Sequence, residues 1–445
     1  MNAATSALLT DLYELTMGQA YLNEDMTEEA VFEFFVRKLP PHRNFLMAAG
    51  LEQVLAFLEE FHFAADELDW LAGTERFSPA YLETLRTLRF TGDVHAVREG
   101  TIFFPHEPIL RITAPMIQAQ LIETRVMNLL NLQTMIASKA CRSVLVGAGK
   151  PLIDFGLRRA HGAEAGLLAA RAAYLAGFAG TSNVLAGALY RIPLYGTMAH
   201  SFVQAHEDEA AAFEQFARSQ PANVVLLIDT YDTEAAAGKV VALASRLAAQ
   251  GLTVKGVRLD SGDLAHHARK VRYILDEGGL PQATILASGN LDEQRVEALV
   301  RAGAPIDSYA IGTAMTTSTD APFLDCAYKL QEYRGRPRRK RSEGKATWPG
   351  RKQVYRRLGN GGYLQEDILT IEGDTQEGEP LLLPVVQSGR RIRPGPSLEE
   401  ARQYAAGSLS QLPVRLRQLD AGAPFEAQVA RALKELTLTV DRRGG

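Results

Sequence analysis

From Pro151 to about residue 313, short apolar runs alternate with helix-length stretches. The six runs predicted as strands each end in small or polar residues, and they read PLIDFG, IPLYGTMAH, NVVLLIDTYD, VKGVRLDSGD, TILASGN and SYAIGT. The helices predicted between them span 163–177 with 182–189, then 201–218, 234–250, 264–277 and 291–301. This alternation predicts a parallel sheet, because parallel neighbours need a crossover of about a dozen residues or more.

The stretches on either side lack this regular alternation. Before it, the pattern predicts a helix, a strand, several short strands and a long helix, at 10–22, 30–36, 92–112 and 114–146. After about residue 330, residues 349–369 have the turn signals of a β-hairpin, and a helical tail begins near Pro394. Both flanking stretches look like mixed antiparallel structure, so they are expected to combine into one domain.

These patterns together predict an α/β fold. Six strand–helix units without a glycine-rich dinucleotide turn favour an irregular TIM-like α/β barrel over an open doubly wound sheet. We place the barrel, with the active site, at 114–330. A second, mixed α+β domain is expected from an N-terminal part at 1–113 and a C-terminal part with a helical tail at 331–445.

Composition narrows the class of protein. The chain is 46% hydrophobic and 22% charged with a formal net charge of -4, which gives no reason to expect nucleic acid or an anionic membrane as partner. Its two cysteines, Cys141 and Cys326, exclude a disulfide framework and a cysteine zinc site. No run of eighteen apolar residues occurs and the N-terminus lacks a secretory pattern. We expect a cytoplasmic protein.

The predicted strands share a chemical feature at their carboxyl ends, where α/β barrels place their active sites. Each end carries a polar group or a glycine, in the segments Asp154–Arg159, Gly196–His200, Asp229–Asp232, Arg258–Asp263, Ser288–Asn290 and Gly312–Thr313. Arginines suit anionic oxygens, glycines let backbone amides approach a phosphate, and aspartates suit Mg²⁺ or orient a histidine. The set indicates a phosphorylated substrate carried with magnesium.

His200 is the histidine that this placement singles out. It follows Gly196–Ala199 at a predicted strand end and precedes an amphipathic helix, whereas His161 and His206 lack that position. A neutral imidazole held by an aspartate is a good nucleophile and proton carrier near neutral pH. A lone histidine is nevertheless more often a surface or core group than a catalyst.

Eight stretches run in a fixed order between residues 10 and 313: TDLYELTMGQAY, DFGLRRAHG, GTSNVLAG, GTMAHSFV, LIDTYDT, VRLDSGDL, SGNLDE and IGT. A ninth, KRSEGKATWPGRKQVYR, covers Lys340–Arg356. This set resembles the nicotinate phosphoribosyltransferase family of the type II phosphoribosyltransferases. The resemblance covers roughly the first 360 residues and is loose beyond them.

The resemblance implies an activity and its partners. The family forms nicotinate mononucleotide and pyrophosphate from nicotinate and 5-phosphoribosyl 1-pyrophosphate in NAD salvage. ATP serves as a co-substrate whose hydrolysis is coupled through a phosphohistidine, and Mg²⁺ accompanies the pyrophosphate. The family's fold is an irregular, incomplete α/β barrel with a second domain from both chain ends. Members are typically homodimers with the active site at the subunit boundary.

The resemblance also implies roles for single residues. His200 corresponds to the phosphorylated histidine, with Asp229 as its supporting carboxylate. Arg258, with Arg158, neutralises the nicotinate carboxylate and the phosphates. Tyr13 and Phe155 stack on the pyridine ring. The remaining expected contacts are Thr181 and Ser182 beside the substrate, Asp260, Ser261 and Gly262 along the ribose, and Ser288, Gly289, Gly312 and Thr313 at the 5′-phosphate.

Two other functions remain as alternatives. The first is a sister transferase that uses nicotinamide or quinolinate; nicotinamide-using relatives carry an aspartate where this chain has Ser182, and a carboxylate there would repel nicotinate. The second is a non-catalytic barrel that binds phosphorylated metabolites. The magnesium ligands stay undecided among Asp229, Asp260 and Asp263.

Overall fold

The computed structural model describes residues 6–443, so the outermost parts of the predicted segments 1–113 and 331–445 lie outside the described residues. The chain divides into two compact units. One, the discontinuous unit, is formed by Met1–Ser138 and Ala321–Gly445, and the other, the central unit, by Lys139–Asp320. Within 6–443, no helix is both long and apolar enough to cross a membrane.

Helices and strands follow one another along the whole described chain. Up to the long helix that ends at Val146 they are α1 (Leu12–Asn23), β1 (Glu29–Val36), β2 (Leu46–Met47), α2 (Leu51–Glu60), α3 (Ala65–Gly73), α4 (Pro79–Thr87), β3 (Asp93–Ala96), β4 (Ile102–Phe103), β5 (Pro108–Pro115), α5 (Met116–Leu121) and α6 (Glu123–Val146). From there to residue 320 they are β6 (Leu152–Asp154), α7 (Ala163–Ala176), β7 (Gly180–Thr181), α8 (Val184–Tyr190), α9 (His200–Gln204), α10 (Glu209–Ser219), β8 (Val225–Leu227), α11 (Thr233–Ala248), β9 (Gly256–Leu259), α12 (Leu264–Glu277), β10 (Thr284–Ala287), α13 (Glu293–Arg301), β11 (Ser308–Ile311) and α14 (Thr313–Thr316). The C-terminal segment adds β12 (Cys326–Tyr333), β13 (Arg336–Pro337), β14 (Lys352–Leu358), β15 (Leu364–Ile371), β16 (Glu379–Pro380), β17 (Leu383–Gln387), β18 (Arg390–Arg391), α15 (Leu398–Ser410), β19 (Gln428–Val429) and α16 (Arg431–Arg443).

The central unit contains the predicted parallel sheet. Its six strands lie in the order β7-β6-β11-β10-β9-β8, and every pair is parallel. Strand residues such as Ile153, Leu226, Val257 and Ile285 are buried, as expected for a sheet covered by helices. Because all six strands run the same way, their carboxyl ends meet at one edge of the sheet. The mixed α/β fold is therefore confirmed.

One predicted strand of this sheet is wrong. The stretch IPLYGTMAH does not form a strand, and the short β7 stands in the sheet instead. Residues 192–200 contribute a single bridge, Leu194 to Thr181, in which Pro193 accepts from the Thr181 amide at 3.0 Å. Proline has no amide to donate to a ladder, so pairing cannot extend through it. A side chain at Gly180 would meet the Pro193 carbonyl oxygen at 2.3 Å, which explains that glycine.

Two predicted helices also differ from the structure. The helix expected over 201–218 is divided into α9 and α10, because Asp208 accepts from the Ala211 amide at 3.0 Å and caps a new helix. The helix expected from Ala114 starts later, since β5 pairs with β1 as far as Pro115. It is then divided into α5 and α6.

The discontinuous unit is built around an antiparallel sheet. Its seven strands lie in the order β13-β12-β1-β5-β3-β17-β18 and come from both chain segments. The predicted hairpin over 349–369 is present, since β14 pairs antiparallel with β15. Buried ion pairs link sequence-distant strands, including Glu33 with Lys352 at 2.8 Å.

Candidate active site

Arg258 is the best-anchored charged side chain at the carboxyl edge of the parallel sheet. It is the penultimate residue of β9, and its side chain is 13% exposed. Nε donates to Ser288 Oγ at 2.9 Å, Nη1 to Thr197 Oγ1 and the Met198 carbonyl at 3.0 and 3.1 Å, and Nη2 to Asp260 Oδ1 at 2.9 Å. The guanidinium lies 5.6 Å from the ring centre of Phe155. Four of its five N–H donors are used, so it is fixed in place with one donor to spare.

Asp260 is the anionic partner in this cluster. Its Oδ1 accepts from Arg258 and, at 2.5 Å, from the hydroxyl of Ser288. Burial raises the pKa of the Asp260 carboxyl, but hydrogen bonds from Ser288 and Arg258 and the charge of Arg258 outweigh burial and hold the pKa below its ordinary value. Asp260 is therefore an ionised carboxylate at neutral pH.

His200 lies at the same edge as the first residue of α9. Its Nδ1 is 3.1 Å from Thr230 Oγ1, and its Nε2 is 3.7 Å from Asp260 Oδ2. The imidazole is 38% exposed and so remains open to a ligand. The carboxylate beside it is that of Asp260, whereas sequence analysis expected support from Asp229.

Asp229 instead organises the loop that follows β9. Its Oδ2 accepts from the Asp260 amide at 2.9 Å and from the Ser261 hydroxyl at 2.5 Å. Its Oδ1 is buried and has no hydrogen-bond partner in the described part of the chain. An unpaired buried carboxylate oxygen is unfavourable in a finished structure and points to a ligand.

Two other aspartates that follow strands of this sheet have structural roles. Asp232 accepts from the Ala235 amide at 2.8 Å and caps α11, and Asp263 accepts from the His266 amide at 3.1 Å and caps α12. The backbone amide of His266 holds the pKa of Asp263 below its ordinary value. No group of three or more His, Cys, Asp or Glu side chains suited to a metal occurs among residues 6–443.

The end of β6 forms the other side of the site. Asp154 is buried, and it accepts from the Gly156 amide at 2.8 Å and the Thr181 hydroxyl at 2.7 Å. Burial raises its pKa. The Ser182 amide donates to the Asp154 carbonyl at 2.8 Å, so Asp154 positions Ser182, whereas the Phe155 amide donates to the Ile311 carbonyl at 2.9 Å. Thr181 is fully buried, and its hydroxyl is engaged by Asp154; its contact with substrate stays a prediction.

The predicted phosphate-binding glycines sit where backbones approach closely. Gly289 has φ of +89°, and a side chain there would meet the Asp260 carbonyl oxygen at 1.7 Å. At Gly312 it would meet the Phe155 carbonyl oxygen at 2.8 Å. Among the described residues, the amides of Gly289, Gly312 and Thr313 donate no hydrogen bond within the protein. They are free to bind an anion.

The remaining predicted site residues are less constrained. Arg158 lies in the 3-10 turn Leu157–Arg159 and is exposed, without an ion pair in the part of the chain described. Its neighbour Arg159 donates to Thr313 Oγ1 at 3.1 Å. Tyr13 belongs to α1 of the discontinuous unit and is 44% exposed. Burial of its hydroxyl and the charge of Glu123 raise the pKa of Tyr13.

Sequence reasoning missed Thr197, Met198 and Thr230, which hold Arg258 and His200. All three lie inside the motifs GTMAHSFV and LIDTYDT. Threonine and methionine carry no distinctive chemical signal, and one of these contacts uses a backbone carbonyl. Only their place within the motifs pointed to them.

Comparison with protein families gives two matches that follow one another along the chain. Residues 8–131 match the nicotinate phosphoribosyltransferase (NAPRTase) N-terminal domain, and residues 151–336 match the nicotinate phosphoribosyltransferase (NAPRTase) family. The chain is 50% identical over 426 residues to a nicotinate phosphoribosyltransferase of Mycobacterium tuberculosis, covering 95% of this chain and 91% of the relative. The fold and site are thus those of a phosphoribosyltransferase. The chain belongs to the nicotinate phosphoribosyltransferase family.

Solved structures agree with this assignment. Human nicotinic acid phosphoribosyltransferase matches with a TM-score of 0.87 and 29% identity, over 97% of this chain and 99% of that chain. A nicotinate-nucleotide pyrophosphorylase from Pyrococcus furiosus matches with a TM-score of 0.75 and 25% identity, over 92% and 96% of the two chains. Because these two structures carry different enzyme names, fold alone does not specify the substrate.

Proposed function

We propose that this protein is a nicotinate phosphoribosyltransferase, which makes nicotinate mononucleotide and pyrophosphate from nicotinate and 5-phosphoribosyl 1-pyrophosphate. The observation that carries the proposal is the immobilised guanidinium of Arg258 beside the ring of Phe155. A fixed cation next to an aromatic ring suits a flat, carboxylate-bearing substrate. Membership in the family, with 50% identity to a relative of that name, supports the same substrate.

The chemical step joins the pyridine nitrogen of nicotinate to C1 of the ribose. The bond from C1 to the pyrophosphate oxygen breaks, and pyrophosphate leaves with the electron pair. Positive charge develops on the ribose during this exchange, and the ionised carboxylate of Asp260 favours it. Ser261 and Gly262 line the ribose in this proposal, and Ser288, Gly289, Gly312 and Thr313 hold the 5′-phosphate. Arg158 adds positive charge for the phosphates.

Magnesium fits the donor set of this edge. The unpaired Oδ1 of Asp229 and the Oδ2 of Asp260 are carboxylate oxygens, and Mg²⁺ binds through one or two carboxylates together with substrate phosphates. That preference is compatible with a site that lacks three protein ligands. Bound there, Mg²⁺ would neutralise charge on the departing pyrophosphate. Asp263 is a poorer candidate because it caps α12.

ATP is proposed as co-substrate, with His200 as the phosphorylated residue. If Nδ1–H donates to Thr230, Nε2 carries the lone pair. Nε2 then attacks the γ-phosphorus of ATP, and ADP leaves with the bridging oxygen. The nearby Arg258–Asp260 pair lies where phosphorylation of His200 would change the electrostatics of substrate binding.

We also propose a cytoplasmic homodimer with its active site at the subunit boundary. Val184, Leu185 and Leu189 on α8 are 70%, 55% and 57% exposed, which supports a surface for a partner. Tyr13 is exposed enough to stack on a pyridine ring opposite Phe155. An irregular barrel over 114–330, with a second domain from the two ends of the chain, completes the proposal.

The test incubates purified protein with labelled nicotinate, phosphoribosyl pyrophosphate and Mg²⁺, with and without ATP. We expect nicotinate mononucleotide in a yield that ATP increases, and we expect His200→Ala to lose the ATP response. His206→Ala is the matched control, since the His206 imidazole bonds to the Phe202 carbonyl and, among the described residues, to no group at the edge of the parallel sheet; this variant should keep the response. Conversion of nicotinamide or quinolinate instead of nicotinate would favour the sister activities, and no conversion of any of them would favour the binding protein.

A further inference from the structure

The discontinuous unit contains a cavity of about 640 Å³ that has no part in the proposed reaction. Its apolar wall includes Leu51 and Leu55 of α2 and Leu383 of β17, and Tyr404 of α15 lies beside them. This volume lies within the range of small-molecule sites, which are mostly apolar with a few placed polar groups. None of the residues that line it belongs to the central unit.

The acidic side chains at this cavity are already engaged. Glu99 accepts from the Gly50 amide at 2.6 Å, and Glu52 forms an ion pair with Arg391 at 2.8 Å. Glu400 accepts from the Ser397 amide at 2.7 Å as part of a capping box. These carboxylates serve the protein itself, so a cationic ligand would have to compete with existing partners.

The two cationic side chains that line the cavity are not neutralised. The guanidinium of Arg98 lies 4.2 Å from the ring centre of Tyr404, a contact that uses its flat face and leaves the N–H edge available. Arg393 directly precedes Pro394, which also lines the cavity. Both residues are exposed, and within residues 6–443 neither guanidinium has an ion pair or a hydrogen bond to the protein.

Two helices begin at the same cavity, and carboxylates already occupy both N-termini: Glu99 accepts from the Gly50 amide at the start of α2, and Glu400 accepts from the Ser397 amide at the start of α15. Leu51 is the first residue of α2, and Pro396 lies just before the Ser397 cap of α15. A helix N-terminus carries partial positive charge. Because these carboxylates offset that charge, the cavity offers the free guanidinium donors of Arg98 and Arg393 on one side and an apolar surface on the other.

We propose that this cavity binds a nucleoside monophosphate, at a site distinct from the one at the edge of the parallel sheet. The phosphate would bind Arg98 and Arg393, and the flat base would pack on Leu51, Leu55 and Leu383. A free phosphate would leave the apolar wall exposed, and a neutral ring would leave the two arginines without partners. A ligand with both parts satisfies both halves of the cavity.

The experiment measures binding to the full-length protein by equilibrium dialysis, with AMP and nicotinate mononucleotide as separate probes. We expect Arg98→Gln and Arg393→Gln each to weaken binding of a probe about tenfold or more, since each removes charged hydrogen bonds to phosphate. Arg390→Gln is the matched control, because Arg390 is exposed three residues away and does not line the cavity. It should bind as the unmodified protein does.

A second variant separates this cavity from the catalytic site. Arg258→Ala disrupts the edge of the parallel sheet and should leave one bound nucleotide per chain. In hydrogen exchange, that nucleotide should slow the amides of 96–99 and 393–404. Binding that disappears in Arg258→Ala and persists in Arg98→Gln and Arg393→Gln would overturn the proposal. So would equal affinity for inorganic phosphate alone, or no binding of either nucleotide.

Discussion

Charged side chains at the carboxyl edge of the parallel sheet and in the interior of the discontinuous unit are treated in different ways. At the edge, Asp229 keeps an unpaired oxygen, and His200 lies 3.7 Å from Asp260, beyond hydrogen-bond distance. In the interior, Lys352 gives its ammonium hydrogens to the Gln331 side chain and to the Trp348 and Gly350 carbonyls. It also faces Glu33 at 2.8 Å.

The difference separates charged groups that are available to bind a ligand from charged groups that stabilise the fold. A buried charge is tolerated only when it is paired and hydrogen-bonded, which describes Lys352. A binding site must instead keep donors and acceptors available until its substrate arrives. Unsatisfied capacity is therefore a sign of function only where it coincides with a shared strand edge, because buried interior atoms such as Glu33 Oε2 and Arg111 Nε also lack hydrogen-bond partners among the described residues.

The largest effect is expected when the interior pair is broken. Glu33→Gln keeps the size of the side chain but leaves Lys352, 3% exposed, without its counter-charge. Burial already lowers the pKa of Lys352, and loss of Glu33 removes the charge that opposes this. We expect the free energy of unfolding to fall by about 3–5 kcal/mol, measured by urea denaturation.

The control is the same substitution in an exposed ion pair. Glu435 pairs with Arg431 at 2.6 Å on the surface of α16, where solvent screens the charges. Glu435→Gln should leave the denaturation midpoint nearly unchanged. If Glu33→Gln and Glu435→Gln shifted the denaturation midpoint equally, burial would not distinguish the two ion pairs, and the contrast between interior and surface charges would be wrong.

The sequence predicted the edge of the sheet better than it predicted the interior. The edge residues Arg258, Asp260 and His200 follow strand-like runs, so local pattern placed them together. The Glu33–Lys352 pair joins positions 319 residues apart, and the sequence around either residue does not predict their contact. The strand wrongly predicted at 192–200 has the same cause. Its apolar residues suit a strand, but pairing depends on the hydrogen bonds available between Thr181 and Pro193, and the proline has no amide hydrogen to donate.

An intermediate effect is expected when a charge is added at the edge. Ser182→Asp places a carboxylate beside the proposed nicotinate site, where it would repel the substrate carboxylate and accept from an amide. We expect the preference for nicotinate over nicotinamide to fall about tenfold, as the ratio of kcat/KM values in competition. Stability should change little, because Ser182 is partly exposed and its amide bond to the Asp154 carbonyl is unaffected.

Ser182→Asn is the matched control for this prediction, since it has the same shape without the charge. It should retain more of the nicotinate preference than Ser182→Asp does. If both variants keep the original preference, Ser182 does not select the substrate. If both lose it equally, the size of the side chain and not its charge decides.

The smallest effect is expected at Asp154, a buried edge carboxyl that has hydrogen bonds but no cation. Asparagine can keep both contacts, with its oxygen accepting from Gly156 and its amide donating to the Thr181 hydroxyl. Asp154→Asn should therefore change the free energy of unfolding by less than about 1 kcal/mol at low pH. The same kind of substitution would thus have a large effect on stability at Glu33 and a small one at Asp154.

The pH dependence gives the sharper readout for Asp154. Burial raises its pKa above the ordinary 3.8, so the folded state holds this proton more tightly than the unfolded state does. The stability contributed by that proton is fully present below 3.8 and is lost as pH rises through the folded-state pKa. Asp154→Asn cannot lose it, so in calorimetric melting the stability of the variant should rise relative to that of the unmodified protein as pH increases from 3.8 through the folded-state pKa. Parallel curves for the two proteins over this range would mean that Asp154 titrates as an exposed carboxyl does.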